Sequence, residues 1–150
     1  MCLEKLDVRE SIFDSVNKNE HEIVDVDGTP LAIAGAIDAS GDRNVPTWIS
    51  DPAKALFGIA PNIFRLMLVH KPVSVDTSFE TIADLVLLCH THGGQCFPLN
   101  FIVQVIEKYA QGLYHVDGHT AFVSTGTGYW GPPLRIGIPC EIDVLTLHRI

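Results

Sequence analysis

Residues 84–95 read Asp-Leu-Val-Leu-Leu-Cys-His-Thr-His-Gly-Gly-Gln. An apolar run of this length bounded by turn formers is the pattern of a buried strand, and here it ends in a polar cluster carrying two histidines and two glycines. Residues 63–72, Ile-Phe-Arg-Leu-Met-Leu-Val-His-Lys-Pro, repeat the pattern with one histidine at the same relative place. Short β-type runs alternating with longer amphipathic ones predict a mixed α/β domain, and histidines at the carboxyl ends of two buried strands stand where open α/β sheets hold ligands.

Working outward, Glu22–Asp27 and Leu31–Ile37 are β-rich runs around Asp27-Gly28, and Gly112–Val116 and Thr120–Ser124 are a second such pair around Asp117-Gly118. Asp-Gly between β-type runs is a strong hairpin signal. Asp51–Phe57 predicts a short helix with Asp51 as cap and Pro52 at its first position, and Thr77–Ala83 and Phe101–Tyr109 carry helical spacing. Ala39–Pro46 reads as a polar loop, and Glu141–His148 alternates like a last strand. Met1–Asn19 gives the least decided signal.

The chain has 150 residues, 47% hydrophobic, with 18 acidic against 10 basic side chains and a formal charge of −8. That composition excludes intrinsic disorder and bounds the chain to one domain. The scattered lysines and arginines predict no nucleic-acid surface, since phosphate backbones are held by clustered positive charge. Any phosphate contact must then run through a metal or backbone amides. No apolar stretch is long enough to span a bilayer and no signal peptide stands at the start, so the chain as given reads as cytoplasmic. Its four cysteines form no CxxC pair and read as free thiols.

Neutral imidazole is the commonest metal ligand, so His70, His90 and His92 are the candidate metal ligands. Gly93-Gly94 allows a tight turn and a close backbone approach to an ion or phosphate. The competing reading makes one histidine a satisfied core residue and two of them loop residues. Cys89, His90, His92 and Cys96 offer a further alternative, a small zinc-binding domain, although their spacing matches no zinc-knuckle pattern. Gly126-Thr127-Gly128-Tyr129-Trp130-Gly131 matches GxGxxG, but Pro132-Pro133 prevents the helix that a dinucleotide fingerprint requires. That stretch is either a surface loop or a substrate-facing one, with Gly126, Tyr129 and Trp130 as candidate substrate-binding residues.

Cys89-His90-Thr91-His92-Gly93-Gly94-Gln95 resembles the Gly-His-Thr-His-Gly-Gly-Gln signature of calcineurin-like metallophosphoesterases, in particular a bacterial subgroup whose members often carry an N-terminal membrane anchor. Phe64–Pro72 is similar to the family's strand ending in His-x-Pro, and Gly112–Leu147 to its C-terminal part, with Tyr-x-Val, Val-Ser-x-Gly and Pro-Leu-Arg-x-Gly segments. The likeness runs from about Ile23 to the end, which implies that 23–150 is the C-terminal half of a metallophosphoesterase domain and leaves 1–22 an uncertain N-terminal segment.

The resemblance implies a partial α/β/β/α sandwich lacking its N-terminal strands and helices, with one sheet face left bare. It implies a hydrolase in which two divalent ions (Mn, Fe, Zn or Mg) bind a phosphate ester and activate water. Carried over by position, His70 and His90 would ligate one ion and His92 the other. The family's Asp-x-His, Gly-Asp-x-x-Asp and Gly-Asn-His motifs have no counterpart in this chain, since Gly41-Asp42 and Asn19-Glu20-His21 do not match them, so the ligand set is expected to be incomplete and the chain inactive by itself. Cys89 stands where the signature has glycine. The implied partners are the phosphate-ester substrate and either an N-terminal half or a second copy covering the bare sheet. Membrane association follows only if an N-terminal anchor has been lost. A truncated or decayed, non-catalytic interaction module is the alternative.

Overall fold

The computed structural model describes residues 18–38, 49–80 and 82–148. The expected loop Ala39–Pro46 and the segment 1–17 lie outside the described residues. Six strands form a single sheet: β1 (Glu20–Val26), β2 (Thr29–Gly35), β3 (Phe64–Leu68), β4 (Leu85–Leu88), β5 (Gly112–Val116) and β6 (His119–Val123), in the order β1-β2-β3-β4-β6-β5. Strands β2, β3, β4 and β6 run parallel, while β1 and β5 are the antiparallel outer arms of the two hairpins.

Both hairpins turn on Asp-Gly with positive φ at both residues, 53° and 81° at Asp27-Gly28 and 51° and 85° at Asp117-Gly118. Such turns match the right-handed twist of the arms they join. Strand β1 begins at Glu20, two residues before the β-rich run expected from Glu22.

Three helices connect the parallel strands: α1 (Pro52–Leu56), α2 (Val73–Glu80) and α3 (Leu99–Ile106). Asp51 caps α1 through its side chain, which accepts from the Lys54 amide at 2.9 Å. Helix α2 begins earlier than its apolar spacing suggests, because the Lys71 and Pro72 carbonyls accept from the Ser74 and Val75 amides and so start the turn right after His70. Helix α3 is likewise shifted from the expected Phe101–Tyr109. It stops before Glu107, and Tyr109 turns into the core, where it is 2% exposed.

The sheet is two-sided in character. Ala32, Ala34, Met67, Val86, Leu88, Ala121 and Val123 point to one face and pack against Ala55 and Leu56 of α1 and Val75 and Phe79 of α2. Burying such side chains is worth about 1.5–3 kcal/mol each for the larger ones and makes this layer the core. The alternate residues Leu31, Ile33, Leu66, Leu68, Leu87 and Phe122 form the opposite face and are only half-buried. Among the described residues no second sheet covers them, so the structure corresponds to one sheet of a sandwich and not two.

The alternating tail Glu141–His148 forms no strand, which corrects the expectation drawn from its pattern. Ile142 and Val144 are 84% and 88% exposed, and alternation becomes a strand only when a neighbour supplies backbone partners. No helix among the described residues is long and apolar enough to cross a membrane.

Helix α2 is tied to the chain beyond α3 by Asp76, whose carboxylate accepts from Lys108 Nζ at 2.8 Å and from the Tyr109 hydroxyl at 2.6 Å. These two donors, Lys108 first, hold the Asp76 carboxyl below its ordinary value. A depressed carboxyl stabilises the fold above the ordinary carboxylate range and stops doing so as pH falls through the lowered value. Asp76→Ala is therefore expected to lower the urea midpoint at neutral pH, and the difference from wild type is expected to close in acid. A gap that stays constant across that range would contradict the assignment.

Candidate functional site

Parallel order puts the carboxyl ends of β2, β3, β4 and β6 on one side, and the four segments that leave them build a single cleft. Ala36–Asp38 follow β2, Val69-His70 follow β3, Cys89–Gln95 follow β4 and Ser124–Gly128 follow β6. The cleft has a volume of about 830 Å³, and its walls include Asp38, His70, Cys89, His92, Gly126 and Glu141.

His70 and His90 are brought together. His90 Nδ1 lies 2.9 Å from His70 Nε2, with the rings edge to face and their centres 4.6 Å apart. Asp38 Oδ2 stands 3.9 Å from the same His70 nitrogen. Burial, and then the charges of His70 and Lys71, push the His90 imidazole below its ordinary value. Neutral imidazole is the metal-binding form. Two ligands at right angles on one ion, each about 2.1 Å from it, are about 3 Å apart, so these two nitrogens fit neighbouring positions on an ion. Among the described residues no group of three or more His, Cys, Asp or Glu side chains is arranged to hold one. The fit is thus to part of a coordination sphere.

His92 reaches the cleft through an unusual turn. His92, Gly93, Gly94 and Gln95 all have positive φ, 49°, 60°, 82° and 56°. Glycine adopts this conformation freely, whereas the two side-chain-bearing residues each cost roughly 1 kcal/mol or more. A Cβ at residue 94 would run into the backbone of Asn100 at the start of α3. Thr91 anchors the turn, its hydroxyl donating to the Ala110 carbonyl at 2.6 Å. Gln95, 3% exposed, anchors the other end: its amide donates to the Trp130 carbonyl at 3.0 Å and accepts from the Trp130 amide at 2.7 Å.

The His92 ring has two competing neighbours on Nδ1, the Thr125 carbonyl at 3.1 Å and Arg135 Nη2 at 2.9 Å. One nitrogen cannot serve both, since the carbonyl needs Nδ1–H and the guanidinium needs a bare Nδ1. The carbonyl partner leaves Nε2 with a free lone pair, which is the state a metal ligand needs.

Cys89 is half-buried against Gly126. A Cβ at residue 126 would come within 2.6 Å of its sulfur, so cysteine fits at the signature's glycine position because residue 126 is itself glycine. Burial raises the Cys89 thiol above its ordinary value. Cys96 Sγ lies 3.3 Å from the Leu134 carbonyl, and no Cys/His cluster of the expected four forms among the described residues. Residues 126–131 are irregular chain, as the two prolines predict. Gly126 lines the cleft. Tyr129 and Trp130, 58% and 51% exposed, stand outside its lining on the next part of the loop.

Asp38, Gln95, Thr125, Arg135 and Glu141 were not singled out by sequence reasoning. Only Arg135 and Gln95 had a signal, as members of the Pro-Leu-Arg-x-Gly and His-Thr-His-Gly-Gly-Gln segments.

Over 119 residues, 78% of its length, the chain is 38% identical to an uncharacterized metallophosphoesterase of Campylobacter jejuni. An uncharacterized metallophosphoesterase of Aquifex aeolicus is 31% identical over 119 residues, and a transmembrane protein with a metallophosphoesterase domain from Bos taurus is 39% identical over 101. The matched stretch spans 31%, 45% and 23% of these relatives' own lengths. No family model matches the chain and no solved structure does. The chain belongs to the metallophosphoesterase family.

The packing of Cys89 on Gly126 yields a coupling prediction. Gly126→Ala is expected to destabilise strongly, both by the clash and by its φ of 69°. In the Cys89→Gly background the same change should cost less, by about 0.5–3 kcal/mol. Additive costs in a denaturation cycle would show that the sulfur is not the obstacle.

Proposed function

We propose that this chain contributes to metal-dependent hydrolysis of phosphate esters, phosphomonoester or phosphodiester, at a dinuclear site. His70 and His90 hold one ion between them and His92 serves the second. The pairing of His90 Nδ1 with His70 Nε2 at 2.9 Å carries this reading, because two imidazole nitrogens at that spacing fit neighbouring positions on one ion. Divalent ions such as Mn, Fe, Zn or Mg, when bound, supply charge for the phosphoryl oxygens and a reactive water at neutral pH.

The chain's own part is placement. The strained turn sets His92, Asp38 stands behind His70, and the Ser124–Gly128 loop gives the cleft a wall free of basic side chains. Gly126 allows close approach there, and Tyr129 and Trp130, exposed farther along the same loop, are the side chains offered to the rest of an ester. Three histidines do not complete a dinuclear ligand set, so the chain by itself binds metal without turning substrate over. The remaining ligands come from the N-terminal half of a metallophosphoesterase domain, which also covers the half-buried sheet face of Leu31, Ile33, Leu66, Leu68, Leu87 and Phe122. Relatives several times longer than the matched stretch support that reading.

Titration with Mn²⁺ alone tests it. Wild type is expected to bind, and His70→Ala and His90→Ala are each expected to weaken binding at least tenfold. With a generic phosphodiester, the chain alone is expected to show no manganese-dependent hydrolysis, and addition of an N-terminal half is expected to restore it. Turnover by the chain alone would overturn the claim of incompleteness, and equal Mn²⁺ binding by wild type and both variants would overturn the ligand assignment.

A further inference from the structure

An arginine beside a phosphate site invites the reading that it grips phosphate. The donors of Arg135 are turned elsewhere. Its Nε donates to the Gly128 carbonyl at 2.8 Å and its Nη1 to the Pro139 carbonyl at 3.1 Å. Its Nη2 meets the Thr125 carbonyl at 2.7 Å and His92 Nδ1 at 2.9 Å. Nη2 also donates to the Gly128 carbonyl. A guanidinium has five N–H groups in a fixed plane, and these five contacts engage Nε, one hydrogen of Nη1 and both of Nη2, the last two shared among three acceptors. What remains is one Nη1 hydrogen, too little for the two-pronged grip by which arginine holds a phosphate.

We infer that Arg135 is a positioning residue for His92, its planar fork fixing the imidazole and the Thr125–Gly128 loop as one body. The loop has ties of its own. The Thr125 amide donates to Glu141 Oε1 at 2.6 Å, the Thr125 hydroxyl to the Pro139 carbonyl at 3.2 Å, and the Glu141 amide to the Gly126 carbonyl at 3.1 Å. His92 Nδ1 has only Arg135 and the Thr125 carbonyl beside it. Loss of the guanidinium should therefore free the ring far more than it frees the loop. The consequence for metal rests on the function proposed above, whereas control of the ring does not.

The test uses the whole, metal-free chain with isotope-labelled histidine. In Arg135→Ala the His92 ring resonances are expected to shift and to report faster ring motion. Those of His115 and His119, which contact Thr120 and the Ala83 carbonyl, should hold still. Added guanidinium ion should return the His92 signals toward wild type, which a general loss of packing would not allow. Arg135→Lys keeps the stem and charge without the fork; it is expected to behave like Arg135→Ala, and it decides the matter if the alanine variant does not fold. Unmoved His92 signals in a folded variant, or signals of all three histidines moving together, would overturn the inference. A parallel Mn²⁺ titration is expected to show tighter binding in Arg135→Ala than in wild type, because the guanidinium needs a bare Nδ1 and so keeps the ring proton on Nε2, the nitrogen a metal would use. If wild type binds no Mn²⁺, the metal reading fails while the ring resonances still decide the role of Arg135.

Discussion

A chain leaving β4 has to reverse within a few residues, set His90 against His70 and His92 on the cleft, and still reach the start of α3. Four successive positive φ values at His92–Gln95 accomplish this, and the rest of the site depends on them. Two of the four residues are glycines, which spend no steric energy in that conformation; the other two carry the side chains that the site uses. Such strain persists only where surrounding contacts over-determine it. Here the contacts are specific: the Thr91 hydroxyl on Ala110 upstream, and the Gln95 amide locked in a two-way pairing with the Trp130 backbone downstream. The Gln95 side chain acts there as a peptide unit would in a ladder, at a place where no strand is available to supply one.

The turn also explains why distant residues serve the same few side chains. Because β4 and β6 are parallel neighbours, the loop after β6 arrives directly beside the turn after β4. Thr125, Gly126 and Arg135 thereby come against Cys89 and His92. A small residue on one loop, Gly126, admits a larger one on the other, Cys89. On the β3 side, the shorter connection to α2 leaves His70 half-exposed at the rim, close enough to pair with His90 and with Asp38 behind it. The site is thus an assembly of strand ends, with each strand contributing one or two groups and none sufficient alone.

Much of this was legible in the residues. Apolar runs ending at His70 and Cys89 located β3 and β4, and the two Asp-Gly pairs located both hairpins. Identity of strands was readable because one fully buried face and one half-buried face leave a continuous apolar run, whereas helix limits were not, since they depend on tertiary demands: Pro72 starts α2 early, and the Asp76 contact draws Tyr109 out of α3. The tail 141–148 shows the opposite failure. Its alternation is genuine, but pairing is a property of two segments and only one was in view. The histidine cluster could be suspected from strand ends and Arg135 from the Pro-Leu-Arg-x-Gly segment, yet Glu141 could not, because its carboxylate accepts from the Thr125 main-chain amide, and backbone partners leave no trace in residue type.

The order of the strands bears on how the molecule assembles. Both outer arms belong to hairpins closed by two-residue turns, so their pairing needs almost no loop closure and belongs to the microsecond regime of isolated hairpins. The inner pairs β2–β3, β3–β4 and β4–β6 join segments separated by a helix or more, and long-range parallel pairing is slow. The sheet is therefore quick at its margins and late at its centre. Since the cleft lies at the ends of the inner strands, His70 and His90 can meet only once β3 and β4 have paired across the α2 connection.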